Sequence, residues 1–264
     1  MPWTRYFALS DEPGAPLPSW RVRVFNFALA LLGLSVVFCF SFRALPEPLH
    51  WSSIYPYRVV FWKGWLTTIG ISMAALVLSL VLGLLSALAR RSRFLPLRYL
   101  ATIYVEVVRG TPLLVQILIL FYVVANAFGV DNRSLAGIFI LAFFNGAYIS
   151  EIIRAGIESV GKSQLESARA IGLTGAQTYR YIIFPQAVRQ TLPPLAGQLV
   201  SLVKDSSLLS IISIKEFTWN ARSVSALTYG TLESYLPLAA GYLILTLPIS
   251  LWTRHLEKRH SFDT

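Results

Sequence analysis

Residues 156–185 read GIESVGKSQLESARAIGLTGAQTYRYIIFP and form the longest polar insert of an otherwise apolar chain. The segments that flank this insert, residues 134–153 and 191–213, are apolar and about as long as the roughly 20 residues that cross a bilayer. The insert carries five charged residues, namely Glu158, Lys162, Glu166, Arg169 and Arg180. A charged loop between two such segments indicates a surface that a membrane protein presents to another molecule.

The composition of the whole chain is that of an integral membrane protein. Of its 264 residues, 55% are hydrophobic and 14% are charged, and the mean hydropathy is +0.59. Six segments are apolar enough to span a bilayer: residues 24–42, 65–89, 104–128, 134–153, 191–213 and 236–253. Backbone groups in lipid must be hydrogen-bonded internally, and these continuous apolar runs lack the alternation of barrel strands. We therefore predict an all-α membrane fold with six transmembrane helices.

The distribution of basic residues predicts how these helices are oriented. Fifteen Lys and Arg residues fall in the amino-terminal tail, the 90–103 connection, the 154–190 loop and the carboxyl-terminal end, whereas six fall in the connections on the other side. Positively charged loops are retained in the cytoplasm, so both termini and the central loop are predicted to be cytoplasmic. The net charge of +10 thus reflects topology, because the basic residues do not form the aromatic-interleaved patch of a nucleic-acid-binding protein.

This pattern divides the chain into four parts. They are a cytoplasmic tail (residues 1–20), a first transmembrane helix (21–43), an external linker (44–61) and a core (62–259) with a cytoplasmic loop at 156–187. The first helix is either a retained span or a signal peptide, and its length favours a retained span. Residues 214–235 form either an amphipathic surface helix, with Phe217, Ala221 and Val224 near helical spacing, or a plain loop.

The string Gly156-Ile-Glu-Ser-Val-Gly161-Lys162-Ser163 matches the pattern of a phosphate-binding P-loop. In a P-loop, backbone N–H groups and the lysine bind nucleotide phosphates, and the serine hydroxyl binds magnesium. Such a loop follows a buried strand, whereas this string follows an apolar segment of transmembrane length. We therefore interpret Gly156 and Gly161 as residues that end a helix and turn the chain. We expect this chain to bind no ATP, no other cofactor and no metal.

A second pattern in the insert runs Glu166-Ser167-Ala168, three residues, Gly172, nine residues, and Ile182-Ile183-Phe184-Pro185. It resembles the EAA signature of permease subunits of ATP-binding-cassette (ABC) importers, with Ser167 in place of an alanine and Phe184 in place of a leucine. Four further stretches narrow the resemblance to the polar amino acid family of these permeases: Arg109-Gly-Thr111-Pro112-Leu-Leu-Val-Gln116, Asn145-Gly-Ala-Tyr148-Ile-Ser-Glu151-Ile-Ile-Arg154, Pro185-Gln-Ala-Val-Arg189 and Leu202-Val-Lys204-Asp205-Ser206-Ser207-Leu208. The resemblance implies a five-helix type I importer core, preceded here by one extra amino-terminal helix.

The resemblance also implies a function and a set of partners. The chain would form the translocation path of an ATP-driven, binding-protein-dependent importer of polar amino acids in the bacterial inner membrane. The implied partners are a dimer of ABC ATPase subunits that bind ATP and magnesium, a second permease subunit of the same or another kind, a periplasmic or lipid-anchored amino-acid-binding protein, the amino acid substrate and membrane lipid. The chain itself would catalyse no reaction and bind no nucleic acid.

The sequence of the insert predicts two short helices joined by a bend within residues 163–185, which we call the hook. Gly172 separates two short helical stretches, and Thr174 is placed to cap the second. The first stretch, about residues 163–171, puts Leu165, Ala168 and Ile171 on one side, and Glu166 and Arg169 on the other. By resemblance, this hook couples the permease to the ATPase through Glu166, Ser167, Ala168, Gly172, Ile182 and Pro185. The alternative is a solvated loop whose charges are already satisfied.

Ionisable side chains inside apolar segments are candidates for function because they are costly in lipid. Lys204 and Asp205 point about 100° apart on a helix, so each needs a partner from another helix, another subunit, water or a ligand. A zwitterionic amino acid has complementary charges, and a structural interhelical pair is the alternative. The candidate substrate path comprises Lys204, Asp205, Gln198, Ser201, Ser206, Ser207, Asn145, Tyr148 and Glu151.

A second group of residues is assigned a structural or gating role, namely Glu106, Arg109, Thr111, Pro112, Gln116 and Arg154. Glu106 with Arg109, and Glu151 with Arg154, are three residues apart and are expected to pair on one helix face. The alternative is that they are helix-end ion pairs that face the cytoplasm.

Two other functions compete with the importer subunit. An ion-gradient-driven secondary transporter of small polar solutes would show inverted repeats and broken helices at matching positions, and the sequence shows neither. A purely structural membrane scaffold has no need for Lys204 and Asp205 within a span.

Overall fold

The computed structural model describes residues 19–43 and 49–260, and every secondary-structure element in these ranges is a helix. The predicted all-α fold is therefore confirmed. Most of the predicted tail and residues 44–48 of the predicted linker lie outside the described residues. The chain divides into two compact units, residues 1–49 and residues 50–264.

Helix α1, Trp20–Arg43, belongs to the first unit. None of its residues is buried, and its mean hydropathy of 2.2 is high. A helix that is apolar on all sides suits lipid. Its 24 residues span about 36 Å at 1.5 Å per residue, which is enough to cross a hydrocarbon core of about 30 Å.

The second unit contains nine α-helices among its described residues. They are α2 (Arg58–Arg90), α3 (Leu95–Gly110), α4 (Leu113–Ile119), α5 (Arg133–Glu158), α6 (Lys162–Ala170), α7 (Gly175–Thr178), α8 (Phe184–Asp205), α9 (Phe217–Thr228) and α10 (Thr231–His260). Together with α1, the helical segments Trp51–Arg90, Arg133–Glu158, Gly175–Ile212 and Thr231–Glu257 are long and apolar enough to cross a membrane. Five of the six predicted spans are therefore confirmed as continuous helical segments.

The third predicted span, residues 104–128, is not the continuous helix that we expected. Helix α3 and the segment Leu113–Ala125, which consists of α4 and a π-helical turn, form a pair bent by 114°. Thr111 and Pro112 between them have extended backbone conformations. Proline has no backbone N–H and disfavours a helical conformation in the residue before it, so α3 ends at Gly110. The bend leaves the apolar character of the segment unchanged, which is why hydropathy did not reveal it.

Glycines allow α2 and α5 to pack closely along their length. A Cβ atom on Gly83 would lie 2.5 Å from Cγ2 of Ile149, and one on Gly146 would lie 3.1 Å from Cβ of Leu82. The surrounding core draws on α2, α3, α4, α5, α8 and the turns that follow α8, and includes Ile71, Val105, Ile117, Leu141, Leu202 and Leu209. Because lipid tails are as apolar as these side chains, close van der Waals packing and not removal from water stabilises this core.

The region after α8 is helical, and the plain-loop alternative for residues 214–235 is wrong. The chain continues from α8 through 3-10 turns, Ser206–Ile212, and then forms α9. Phe217 and Val224 of α9 are buried, and the ring of Phe217 packs on Phe61 of α2 and Tyr242 of α10. The apolar face of α9 is therefore covered by the protein itself.

Candidate functional site

The insert folds into two short helices joined by a tight turn, as predicted. Gly172 has a φ of +79°, which is unfavourable for any residue with a side chain. Its N–H donates to the carbonyl of Arg169 at 3.0 Å, and the N–H of Leu173 donates to the carbonyl of Ala168 at 3.0 Å. These hydrogen bonds satisfy the last carbonyls of α6, so glycine at this position ends the helix and reverses the chain.

Thr174 caps the second helix of the hook, also as predicted. Its Oγ1 accepts a hydrogen bond from the N–H of Gln177 at 3.3 Å, and its own N–H donates to Oε1 of Gln177 at 2.8 Å. This reciprocal capping box starts α7. The chain then passes through a π-helical turn, Tyr179–Ile183, directly into α8. The hook is thus continuous with a membrane-spanning segment.

The hook presents both charged and apolar groups at its surface. Glu166, Ser167 and Gly172 are exposed, whereas Ala168 is buried. Ile171 is 75% exposed, although the sequence spacing places it on the same side of the first stretch as the buried Ala168. The helix ends at Ala170, and Ile171 no longer follows the helical row that the sequence spacing assumes.

A side-chain hydrogen bond connects the two ends of the hook. Nε2 of Gln186, in the first turn of α8, donates to Oε1 of Gln164 in α6 at 2.6 Å and to the carbonyl of Ile182 at 3.0 Å. Ile182 is half-buried, and Pro185 lies in the first turn of α8, directly after the π-helical turn. Because proline has no backbone N–H, it donates no hydrogen bond to that preceding turn. The predicted coupling residues therefore belong to one folded unit.

The two glycines of the P-loop-like string have separate structural roles. Gly156 lies inside α5, where a Cβ atom would lie 2.3 Å from Cγ2 of Thr191 and 3.2 Å from the carbonyl oxygen of Ala187. It allows close contact between α5 and α8, so the expectation that it ends a helix is wrong. Gly161 turns the chain as the residue before α6. The string begins inside α5 and ends in the first turn of α6, so no strand directly precedes it in the described chain and the structural context of a P-loop is absent.

Glu151 is the centre of an ionic cluster shared by three helices. Its carboxylate lies 2.7 Å from Nη1 of Arg90 in α2 and 3.7 Å from Nη1 of Arg109 in α3, and it also pairs with Arg154 one turn later in α5. Arg154 pairs in addition with Glu158. Because the central groups are only partly exposed to solvent, salt screens their interactions less than those of surface pairs.

The pairing in this cluster was only partly predicted. The expected pair within α5 is present, but Glu106 lies 4.0 Å from Arg90 and has no contact with Arg109 of the expected kind. The guanidinium carbon of Arg109 instead lies 5.6 Å from the ring centre of Tyr148. Arg90 was not among the predicted site residues, because its position in the sequence suggested only a basic residue at a helix end.

Gln116 holds the bend between α3 and α4. Its Nε2 donates to the carbonyl of Val108 at 2.8 Å and to Oγ1 of Thr111 at 2.7 Å. Oγ1 of Thr111 donates in turn to the carbonyl of Val107 at 2.8 Å. Gln116 is buried, and with Pro112 it fixes the bend where the helical hydrogen-bond ladder is interrupted.

Two of the predicted substrate-path residues meet between α5 and α8. Nε2 of Gln198 donates to Oδ1 of Asn145 at 2.5 Å, and Nδ2 of Asn145 donates to the carbonyl of Leu141 at 3.0 Å. Asn145 is fully buried and Gln198 is half-buried. Tyr148 and Glu151, by contrast, belong to the cluster around Arg109, so the predicted path separates into two groups.

Lys204 and Asp205 lie at the carboxyl end of α8, and the membrane-spanning segment continues past them to Ile212, so they lie inside the fifth span as predicted. Lys204 is exposed and Asp205 is half-buried. Within the described residues, neither side chain forms an ion pair within 4.0 Å or a hydrogen bond. The alternative of a structural interhelical pair is therefore not observed in this part of the chain.

The serines near this charged pair differ in their availability. Oγ of Ser206 is fully buried and donates to the carbonyl of Val203 at 2.7 Å, so its hydrogen is already used within the helix. Ser201 and Ser207 are half-buried. Of the predicted serines, only these two keep a partly open position near Lys204 and Asp205.

Glu216 is a buried carboxylate that the sequence interpretation did not include. Its Oε1 accepts from the N–H of Trp219 at 2.6 Å, and its Oε2 accepts from the N–H of Thr218 at 2.8 Å and the hydroxyl of Tyr242 at 3.2 Å. The hydroxyl of Thr68 lies 3.4 Å from Oε2. The carboxylate thus caps α9 and connects it to α2 and α10. An acidic residue directly before an amphipathic helix was the available signal.

Burial perturbs the ionisation of this carboxyl group. Glu216 lies outside the membrane-spanning segments, and burial raises its pKa from an ordinary value of 4.5 to about 7. The hydrogen bonds from Thr218, Trp219 and Tyr242 act in the opposite direction, because they favour the charged form.

Comparison with known proteins places these features in a family. Residues 79–261 match the family described as binding-protein-dependent transport system inner membrane component. The chain is 40% identical over 206 residues to the probable glutamine ABC transporter permease protein GlnM of Bacillus subtilis (strain 168), covering 76% of this chain and 93% of that protein. It is 38% identical over 218 residues to the L-cystine transport system permease protein TcyB of the same strain, covering 82% of this chain and 92% of that protein.

A solved structure gives the same assignment at the level of the fold. The chain resembles a protein from the crystal structure of an amino acid ABC transporter with histidines, with a TM-score of 0.75 and 36% identity. The match covers 81% of this chain and 100% of the other. The insert, residues 156–185, lies within residues 79–261, which match the family.

Proposed function

Since the chain belongs to the family of binding-protein-dependent transport system inner membrane components, we propose that it is the permease subunit of an ABC importer for a polar amino acid. It is a multi-pass membrane permease, and such a permease works with an ATPase. The relatives named for glutamine and for cystine support a polar amino acid as substrate. Family membership favours this function over the ion-gradient-driven alternative and over a structural scaffold.

The geometry of the hook is the observation that carries the coupling role. Its two short helices are fixed by Gly172, by the Thr174 cap and by the hydrogen bond between Gln164 and Gln186. Glu166 and Ile171 project from this folded unit and are exposed. A preformed surface loses little conformational entropy when it binds a partner. We therefore assign Glu166, Ser167, Gly172 and Ile171 to the contact with the ATPase, and Ala168, Ile182 and Pro185 to the support of that contact.

The connections of the hook define how ATPase movement would reach the membrane. The hook continues into α8 without an intervening loop, and α8 contacts α5 closely at Gly156. A displacement of the hook would therefore act on the helices that carry Asn145, Gln198, Lys204 and Asp205. Differential binding of the ATPase to two arrangements of these helices is what would shift the permease between outward and inward openings.

The remaining partners complete the proposed transport cycle. A dimer of ATPase subunits would bind ATP and magnesium on the cytoplasmic side. A second permease subunit, identical or different, would share the translocation path, and a periplasmic or lipid-anchored binding protein would deliver the amino acid. Both termini would lie in the cytoplasm. Lys204 and Asp205, which form no hydrogen bond and no ion pair within 4.0 Å in the described chain, are available to the substrate or to the second permease.

The test is to purify the permease with its membrane partners and measure the co-purifying ATPase. We expect an ATPase whose hydrolysis responds to an amino acid together with its binding protein. The variants Glu166→Lys and Gly172→Asp should lose association with the ATPase, the first through charge and the second because a side chain at φ +79° distorts the turn.

Matched control variants separate a lost contact from misfolding. Gly129 also has a positive φ, of +66°, and open space around it, so Gly129→Asp introduces similar strain outside the hook. Asp131→Lys reverses one exposed acidic charge outside the hook. Both controls should retain the ATPase. Full retention of the ATPase by Glu166→Lys and Gly172→Asp would contradict the proposed coupling surface.

A further inference from the structure

A groove outside the proposed transport path lies between the carboxyl-terminal half of α2, the first half of α3 and the middle of α5. Its volume is about 700 Å³, and it is lined mainly by apolar side chains, including Leu82, Leu85, Leu88, Leu97, Leu100 and Phe143. The small residues Ser86 and Ala101 also line it and are themselves buried. The small residues Ser86 and Ala101 thus leave space between the helices, and the large apolar side chains surround this space.

The length of the groove corresponds to one leaflet of a bilayer. Its lining extends along the chain from Leu82 to Ser92, which is about 15 Å at 1.5 Å per residue. The hydrocarbon core of a bilayer is about 30 Å thick. Helices α2 and α5 belong to segments that are long and apolar enough to span a membrane, so lipid is a candidate occupant, and the groove has the length of an acyl chain from one leaflet.

The charge distribution distinguishes the two ends of the groove. Arg91 and Arg93 flank the lining residue Ser92, and Arg98 follows the lining residue Leu97. All three arginines are exposed, and in the described parts of the chain none has a carboxylate within 4.0 Å. The lining residues at the opposite end, Leu82 and Phe143, are apolar. An apolar groove with uncompensated arginines at one end is complementary to an anionic lipid.

A second copy of the permease fits this surface less well. A protein helix laid along the groove would cover the ends of α2 and α3 and take the three arginines out of water. Removing unpaired charges from water costs several kcal/mol for each ion. A phospholipid instead brings its own phosphate to the arginines, so it satisfies both the apolar lining and the charge.

We propose that this groove binds one anionic phospholipid in the leaflet next to the 91–94 connection. The acyl chain lies along Leu85, Leu88 and Leu100, and the phosphate is bound by Arg91, Arg93 and Arg98. The neighbouring Arg90 remains paired with Glu151. The lipid therefore holds the start of α3 against α2 beside the ionic cluster, and this role does not depend on which amino acid is transported.

The experiment compares two photoreactive lipids in nanodiscs of phosphatidylcholine that contain the full-length permease. One probe is phosphatidylglycerol with a diazirine in its acyl chain, and the other is phosphatidylcholine with the same acyl chain. We expect phosphatidylglycerol to label residues 82–104 preferentially. Changing Arg91→Gln together with Arg98→Gln should reduce the preference for phosphatidylglycerol roughly 30-fold, because each arginine near the surface contributes about 1 kcal/mol.

A charge-matched control and a groove-filling variant make the result specific. Arg189 and Arg254 are exposed and do not line the groove, so Arg189→Gln with Arg254→Gln should keep the full preference. Ala89→Phe should reduce labelling by both probes by filling the groove. Equal labelling by the two lipids, labelling spread evenly over the helices, or an unchanged preference in the Arg91 and Arg98 variant would overturn the proposal. Efficient disulfide cross-linking of two copies through Leu100→Cys would also overturn it, because a second permease would then cover the groove.

Discussion

The carboxyl group of Glu216 is fully buried, and in the described chain its oxygens accept hydrogen bonds from Thr218, Trp219 and Tyr242. A carboxylate accepts all of these bonds, whereas its burial favours the neutral acid. With a pKa of about 7 in the folded protein and an ordinary value of 4.5, the folded state binds a proton that the unfolded chain releases between these pH values. Stability should therefore fall as the pH rises through this window and level off above it.

We predict that thermal stability depends on Glu216 between pH 5 and pH 8. The wild-type protein should lose stability over this range by up to about 3 kcal/mol, from about 1.36 kcal/mol per unit of pKa shift. The Glu216→Gln variant should show much less of this loss, because glutamine does not titrate. Melting temperatures of both proteins in detergent at the two pH values measure the difference. Glu257→Gln, at an exposed position, is the control and should behave like the wild type.

A second prediction at the scale of single residues concerns Lys204 and Asp205. Neither side chain forms a hydrogen bond or an ion pair within 4.0 Å in the described chain, so we expect Lys204→Met and Asp205→Asn to reduce amino acid uptake at least tenfold without loss of assembly. Lys215→Met and Asp131→Asn change exposed residues of the same types outside the spans and should leave uptake unchanged. Uptake in membrane vesicles and co-purification of the ATPase provide the two measurements. Normal uptake in both charged-pair variants would remove these residues from the substrate path.

At the scale of elements, local sequence predicted the hook but not the bend. The hook depends on neighbours in the chain, since Gly172 must adopt a positive φ and Thr174 must cap the next few residues. The bend at Pro112 is also a local effect, but a window that averages hydropathy over about 20 residues does not register it. The proline itself was the signal, because it follows an extended Thr111 and ends α3.

The residues that were missed depend on contacts between distant elements. Arg90 and Glu151 are separated by 61 positions, and Thr68 and Glu216 by 148. Neither pair has a local spacing that marks it. Their contacts exist because glycines let α2 and α5 approach closely and because α9 packs against α2 and α10. Sequence spacing within one helix also suggested a bond between Glu106 and Arg109, which packing replaced with contacts to other helices.

The ionic cluster predicts how α2, α3 and α5 depend on one another. Glu151→Gln would leave Arg90, Arg109 and Arg154 without their shared anion, and like charges in a partly buried site repel. We expect a loss of about 2–4 kcal/mol of stability. This range is somewhat lower than the roughly 3–5 kcal/mol typical of fully buried pairs, because the site is partly exposed. Glu158→Gln removes only the outer partner of Arg154. Because the side chain of Glu158 is 55% exposed, this change should cost less than about 1 kcal/mol of stability.

Thermal unfolding of the two variants in detergent, with the wild type beside them, tests this difference. Equal melting temperatures for Glu151→Gln and Glu158→Gln would mean that Glu151 does not hold the three helices together. A further variant, Arg109→Gln, should have an intermediate effect, because its contact with Glu151 is the longest of the three at 3.7 Å.

At the scale of the whole molecule, the orientation in the membrane decides which partners each surface meets. In the topology that we predict from the sequence, fifteen basic residues fall on the side of the hook and six on the opposite side, and basic loops stay in the cytoplasm. The hook, the Glu151 cluster and the proposed lipid headgroup site lie with the basic majority. The 206–235 region, including Glu216 and α9, belongs to the opposite end of the spans. The proposed coupling to a cytoplasmic ATPase therefore requires that this orientation is correct.

We predict that thiol labelling in spheroplasts distinguishes the two sides. Cys39 is the single cysteine, so Cys39→Ser gives a background into which one new cysteine is placed at an exposed position. In this background, Asp131→Cys should react with a membrane-impermeant maleimide in intact spheroplasts, whereas Ser163→Cys should react only after permeabilisation. The orientation depends on the basic residues of all short loops together. Changing Arg91 and Arg93 to glutamine should therefore leave the labelling pattern intact, because the other basic loops remain. Labelling of Ser163→Cys in intact spheroplasts would place the hook outside the cell, away from ATP, and would exclude the coupling mechanism for the whole molecule.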